Sequence, residues 1–149
     1  MNQSRRYFCY LLSAIGAVRT SAQDWLLPSK AYPYETIPVH QEPHSRLRHF
    51  FDGETHTGFA VELHESELAA GDAPHPPHHH VHEEVILIRE GTVDVMISGQ
   101  TTRLGPGSVA YIASNEEHGW RNVGTTRARY YLFALGPAWD YRERMAKTE

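Results

Sequence analysis

The segment His75-Pro76-Pro77-His78-His79-His80-Val81-His82-Glu83-Glu84 holds five of the eleven histidines of the chain beside two carboxylates. Neutral imidazole is the commonest protein ligand for borderline divalent transition metals, and a carboxylate adds a harder donor. On an extended chain, residues two apart point the same way. His78 and His80 therefore aim at one point, and Glu84, at the same parity, joins them where the chain runs on into a strand. A fourth donor has to come from elsewhere in the chain, and His118 stands at the start of a later strand. Three neutral imidazoles and one carboxylate leave a divalent ion with a net charge of about +1 and one or two open positions for water, dioxygen or a chelating anion. The donor set suits Fe, Mn, Ni, Cu or Zn and does not choose among them.

The remaining histidines carry less information. His79 points away from His78 and His80. His82 shares their parity, so its exclusion from the ligand set requires a bend between His80 and Glu84; it reads as a hydrogen-bonding support for the ligands. His75, before two prolines, reads as a surface loop residue. His40, His44, His49, His56 and His64 show no spacing logic and read as surface residues. The candidates for moving a proton beside the metal are Glu84, His82 and His64, with Glu62 as a further choice. The competing explanation of the cluster is a histidine-rich surface loop that binds metal loosely or not at all.

The elements that must position these groups are strands. Phe59, Val61 and Leu63 alternate with Ala60, Glu62 and His64, the period-two pattern of a half-buried strand. Arg46–Phe51 is a shorter run that ends at a turn signal, Asp52-Gly53. Val85-Ile86-Leu87-Ile88 is continuously apolar, the pattern of a strand buried on both faces. Gly91 turns the chain into the alternating Val93, Val95 and Ile97, and Ser98-Gly99 is a hairpin turn into Thr101–Leu104. Gly105-Pro106-Gly107 precedes Val109–Ile112, and the runs His118–Val123 and Arg129–Leu135 follow. Short strands at this spacing with glycine turns indicate an all-β sandwich or barrel. Parity places Trp120 and Asn122 with His118, and Ile86 and Ile88 with Glu84. Ile86, Ile88, Tyr111, Trp120 and Phe133 are therefore the expected pocket-lining residues.

With these positions in place, a family resemblance can be stated. His78-x-His80-x3-Glu84-x6-Gly91 resembles the first motif of the cupin superfamily, and Gly105-Pro106-Gly107 through His118-x3-Asn122 resembles the second. The resemblance covers roughly residues 55–135. It implies a double-stranded β-helix, the jelly-roll barrel of small single-domain cupins, and one metal held by His78, His80, Glu84 and His118. Gly71 lies one residue too far from His78 for the strict first motif; Ala113 stands where the second usually has proline, and Asn115 where it usually has glycine. These departures affect a turn and not the ligands. The resemblance also implies a small-molecule ligand and a homodimer formed through the N-terminal arm or a barrel edge.

Around this domain, residues 23–44 carry Pro28, Pro33, Pro38 and Pro43 and read as an extended arm. Residues 1–22 read as an export signal: a charged Arg5-Arg6 pair, an apolar run from Phe8 to Val18, and small residues at Thr20-Ser21-Ala22. The adjacent arginines and the late Arg19 favour the twin-arginine type and periplasmic delivery; a plain secretory signal or an uncleaved anchor is the alternative. Cleavage after Ala22 would leave 11 basic against 18 acidic residues, a net charge of −7, and would remove Cys9, the only cysteine. The single cupin domain is then 23–149, without a disulfide. That negative charge, with no clustered basic surface, argues against a nucleic-acid partner.

Three functions fit. The first is a metal-dependent oxygenase acting on a small oxygen-chelating molecule, phenolic or diketone-like, because the expected wall of Ile86, Ile88 and Trp120 is apolar. The second is a non-redox isomerase, epimerase or lyase on a sugar or sugar acid. The third is a non-catalytic binding or sensing module.

Overall fold

The structure, a computed structural model, describes residues 26–42 and 45–138; the export signal read at 1–22 lies outside them, as do His44 and the tail from Trp139. The described residues form nine strands: β1 (His40–Gln41), β2 (Ser45–Glu54), β3 (Phe59–Leu68), β4 (Glu83–Glu90), β5 (Val93–Ile97), β6 (Gln100–Leu104), β7 (Val109–Ile112), β8 (His118–Asn122) and β9 (Ala128–Pro137). One sheet runs β1-β2-β3-β9-β4-β7, the other β6-β5-β8, and neighbouring strands within both are antiparallel. The all-β jelly-roll expectation is met.

The turns follow the local chemistry. Ser98 and Gly99 both take positive φ, 49° and 80°, as a two-residue hairpin between β5 and β6 demands. Gly91, between β4 and β5, has φ +86°, and a Cβ there would stand 2.7 Å from the Cα of Ala128. A side chain at 91 would therefore push β9 away from the end of β4.

The core lies between the sheets. Ile86 and Ile88 from β4, Val93 and Val95 from β5, Ile112, Trp120, Tyr130, Leu132 and Ala134 form one buried cluster with Leu68 and Ala128. Three expectations are corrected here. Asp52-Gly53 is not a turn: β2 continues through it to Glu54, with a bulge between His49 and Phe51. Val85–Ile88 is not buried on both faces, because Leu87 is 40% exposed on the outer side. Gly136 and Pro137, beyond the expected last run Arg129–Leu135, still belong to β9.

A fourth expectation, about which face of β3 turns inward, fails, and it matters most for the site. Strand β3 does alternate, but its apolar members face out. Phe59 is 50% exposed, whereas Ala60, Glu62, His64, Ser66 and Leu68 are buried. The outer side of β2 and β3 carries the arm. The ring of Tyr32 lies 5.3 Å from that of Phe51, the Tyr34 hydroxyl donates to Glu65 (2.6 Å), and Arg48 donates to the Ile37 carbonyl (2.6 Å).

Candidate metal centre

The loop before β4 is pinned to β8 by an isolated bridge. His78 N–H donates to the His118 carbonyl at 2.9 Å, and His118 N–H returns a bond of 2.8 Å. Asn115 N–H donates to the His80 carbonyl at 2.8 Å. Gly119 permits this closeness, since a Cβ there would lie 3.2 Å from the Cα of Pro77. Asn115 takes φ 63°, a left-handed conformation that asparagine tolerates better than most residues and glycine adopts freely. Bends at Val81 and His82 then feed the chain into β4 at Glu83.

Four sequence-predicted residues meet at this junction. His78, His80 and His118 place one ring nitrogen each within 4.8 Å of one another. His80 Nε2 lies 3.1 Å from Glu84 Oε1, and His118 Nε2 lies 3.3 Å from Glu84 Oε2. The tautomers are set from behind: His80 Nδ1 donates to the His82 carbonyl and His118 Nδ1 to the Glu116 carbonyl, each at 2.8 Å. Both Nε2 lone pairs therefore face the centre. His78 Nδ1, His80 Nε2, His118 Nε2 and Glu84 Oε2 are buried without a hydrogen-bond partner. Buried polar atoms rarely go unsatisfied, and a metal would satisfy all four at once. The residues fit a divalent ion.

The electrostatics agree with that use. Burial, reinforced by neighbouring His75, His118 and His80, pushes His78 down to about 3, so its ring is neutral and available. Burial would raise Glu84, but contacts with His118, His80 and His82 hold it well below the usual carboxylate range. Burial acts to lower His118, but Glu84 and Glu116, through hydrogen bonds and charge, together raise it.

His82 is buried, with Nε2 3.5 Å from Glu84 Oε1. Its ring lies flat on that of His80, 3.4 Å away and 10° from parallel. An ion in the plane of one stacked ring lies well off the plane of the other, so both rings cannot bind the same ion in this arrangement. His82 is placed to orient Glu84. His79 is exposed.

Some expectations fail at this site. His75 is not a free surface residue; its ring packs 4.1 Å from that of His78 and 5.4 Å from that of Trp120. His64, read as a surface residue, is 7% exposed and stands on the inner face of β3. Tyr111 and Phe133 do not line the interior. They share with Val85 the outer face of the sheet, where Tyr111 is 56% exposed, because Val85 is registered against both. Ile86, Ile88 and Trp120 do face inward, and the ring of Trp120 stacks over His118 at 6.0 Å. Asn122 is structural: its amide donates to the carbonyls of Leu68, Ala69 and Thr126 and accepts from Gly124 N–H. Sequence reasoning missed Tyr130, whose fully buried ring meets Trp120 edge-on at 5.6 Å and whose hydroxyl is raised to about 12 by burial. Its parity with Leu132 and Ala134 was the available signal.

The Cupin_2 sequence profile, the cupin domain, matches residues 64–134. Residues 64–134 form a cupin domain. Among solved structures, this cupin resembles an RmlC-like cupin from Shewanella frigidimarina, with TM-score 0.61, 16% identity, and coverage of 76% of this chain and 96% of that one. It also resembles a predicted oxalate decarboxylase from Thermotoga maritima, with TM-score 0.61, 17% identity, and coverage of 72% and 99%. The polyketide cyclase RemF from Streptomyces resistomycificus aligns with TM-score 0.58, 20% identity, and coverage of 78% and 94%. At these identities the likeness is one of fold. A comparison with curated proteins returns no match.

Proposed function

We propose that this cupin is a metal-dependent enzyme that holds a small molecule through two adjacent oxygens, and that it acts as an oxygenase on a phenolic or diketone-like substrate. The reading is carried by four buried donor atoms without hydrogen-bond partners at one junction, three ring nitrogens within 4.8 Å of one another and the Glu84 carboxylate within 3.3 Å of two of them. His78, His80, Glu84 and His118 would hold the ion. A bound divalent ion would polarise a chelated carbonyl, and a redox-active one would add dioxygen chemistry. Trp120 and Ile86, buried on the inner face, would exclude water and offer an apolar wall. Elemental analysis of protein from its native host, with oxygen uptake on phenolic and diketone probes, tests this. Iron, copper or nickel with uptake is expected; stoichiometric zinc without uptake would sink it.

A second reading, non-redox isomerase or lyase chemistry, is favoured by one observation: the interior also holds Glu62, His64 and the Tyr130 hydroxyl, all buried. The same metal analysis separates the two, since zinc with turnover of a sugar acid would select the second.

A homodimer belongs to this proposal. Leu87, Val109 and Tyr111 stand 40%, 56% and 56% exposed on β4 and the edge strand β7, an apolar strip that a second copy would cover. Sedimentation of the mature chain as a monomer would reject it. Export through the residue 1–22 leader is likewise proposed, and an intact Met1 on protein recovered from the periplasm would count against cleavage.

A further inference from the structure

We propose that Glu62 and His64 form an acid–base pair inside the barrel that takes a proton from, and returns it to, a carbon acid chelated at the metal centre. This rests on the metal-dependent reading above and adds the group that moves the proton.

The pair is built into β3. Glu62 and His64 are each 7% exposed, and His64 Nδ1 lies 2.9 Å from Glu62 Oε1. A carboxylate only accepts, so His64 Nδ1 donates to Glu62 and Nε2 is turned away from it; in the neutral ring that nitrogen has the lone pair a general base needs. Burying a carboxylate is costly unless something stabilises its charge. Burial pushes Glu62 up, but the hydrogen bond from His64, with smaller contributions from His49 and His82, holds it below its ordinary value.

Register places the pair beside the metal donors. Glu62 is opposite Ala134, and Ala134 is opposite Glu84; His64 is opposite Leu132, and Leu132 opposite Ile86. Two inter-strand steps separate β3 from β4 by about 10 Å, and the side chains at both ends point into the same interior. The small side chain of Ala134 lies between Glu62 and Glu84. A molecule of a few carbons chelated beside Glu84 would extend toward His64 across this gap. His82, stacked on His80 and against Glu84, already supports a ligand.

The far side of the pair leads out of the barrel. The β2 bulge keeps both His49 and Asp52 on the inner side, opposite His64 and Glu62. His49 Nε2 lies 4.0 Å from Glu62 Oε1 and 3.7 Å from Asp52 Oδ1, and these side chains are 30% and 18% exposed. Protons can exchange with solvent along this route.

In the proposed step, a C–H bond next to the chelated carbonyl breaks and its proton bonds to His64 Nε2. The electron pair becomes the C=C bond of an enolate, whose oxygen takes the negative charge. Glu62 stabilises the imidazolium. The reverse step restores the C–H bond, or a C–D bond after exchange with heavy water, and needs no oxidant or co-reactant.

The test uses the full chain loaded with zinc or manganese and incubated in heavy water with pyruvate and with hydroxyacetone. Deuterium incorporation is followed by NMR. Wild type should exchange at least one probe faster than the free ion does. His64→Asn and Glu62→Gln should slow this about a hundredfold with metal stoichiometry unchanged, and Glu62→Asp should recover part of the rate. Exchange in His64→Asn at the wild-type rate would overturn the proposal, as would no exchange by the metal-loaded wild type. Metal loss in either variant would also overturn it, making the pair part of the metal centre. A wild-type chain that takes up no metal would overturn the metal-dependent reading itself and this inference with it.

Discussion

Strand β3 carries carboxylates on both faces, and the two faces treat them differently. Outside, Glu65 takes hydrogen bonds from Tyr34 and Arg89, at 2.6 Å each, with Arg48 3.9 Å away. Glu67 takes one from Arg129 at 2.9 Å and one from Arg46 at 3.2 Å. Inside, Glu62 faces His64 and His49, and Glu84 on β4 faces His80, His82 and His118. Arginine never gives up its proton in a protein, so the outer carboxylates are locked in permanent ion pairs. Imidazole can be neutral or charged near neutral pH and can turn a lone pair to a metal or a substrate. The outer face uses its charges to fasten the arm and sheet edge, whereas the inner face keeps donors whose state can change.

The largest test of this contrast is His118→Ala. Removal of a direct ligand should weaken metal binding by more than the ten- to hundredfold loss typical of a supporting residue, read by elemental analysis after desalting. Metal occupancy equal to wild type would mean that the inner histidines do not form one centre. Tyr130 tests an inner group with no ion partner. Its hydroxyl is raised from 10 to about 12 by burial. Below pH 10 the folded and unfolded states both keep this proton. Between pH 10 and 12 the unfolded chain releases it first, so stability should fall as pH rises, by about 2 kcal/mol at pH 12. Denaturant titrations across that range should show the slope in wild type and not in Tyr130→Phe.

On the outer face, Glu65→Gln leaves Arg48, Arg89 and Tyr34 without their shared acceptor. The loss should be about 2 kcal/mol in denaturant unfolding, with metal occupancy intact. A change in occupancy would show that the two faces are coupled. His82→Asn should leave the metal in place with roughly tenfold weaker affinity in a competition titration; a complete loss would make His82 a ligand. The smallest effect belongs to Glu67→Gln, whose arginines are partly solvated. About 0.5 kcal/mol of stability is expected, and more would mean a tighter network than an exposed pair provides.

Much of the site could be read from residue order. His78, His80 and Glu84 share a parity, His118 opens a later strand, and the turn residues Ser98-Gly99 and Gly105-Pro106-Gly107 mark the hairpins that separate them. These are local properties, because strand period and positive φ depend on near neighbours alone. The inward placement of His64 was not readable in this way. Period two tells which residues share a face and is silent about which face turns inward. Phe59, Val61 and Leu63 pointed to the wrong side, although Val61 is only 7% exposed there. Tyr111 and Phe133, on the outer face with Val85, were misplaced because residue type alone does not choose the face.

The sequence by itself therefore determined a strand-rich chain that resembles the cupins, with a His-His-Glu cluster and a distant histidine to complete it. Only the tertiary structure decided that His78 and His118 pair through their backbones, that His82 stacks on His80, and that Glu62 and His64 lie inside. Each of those depends on contacts between residues far apart in the chain, where sheet register and the side covered by the arm outweigh local preference.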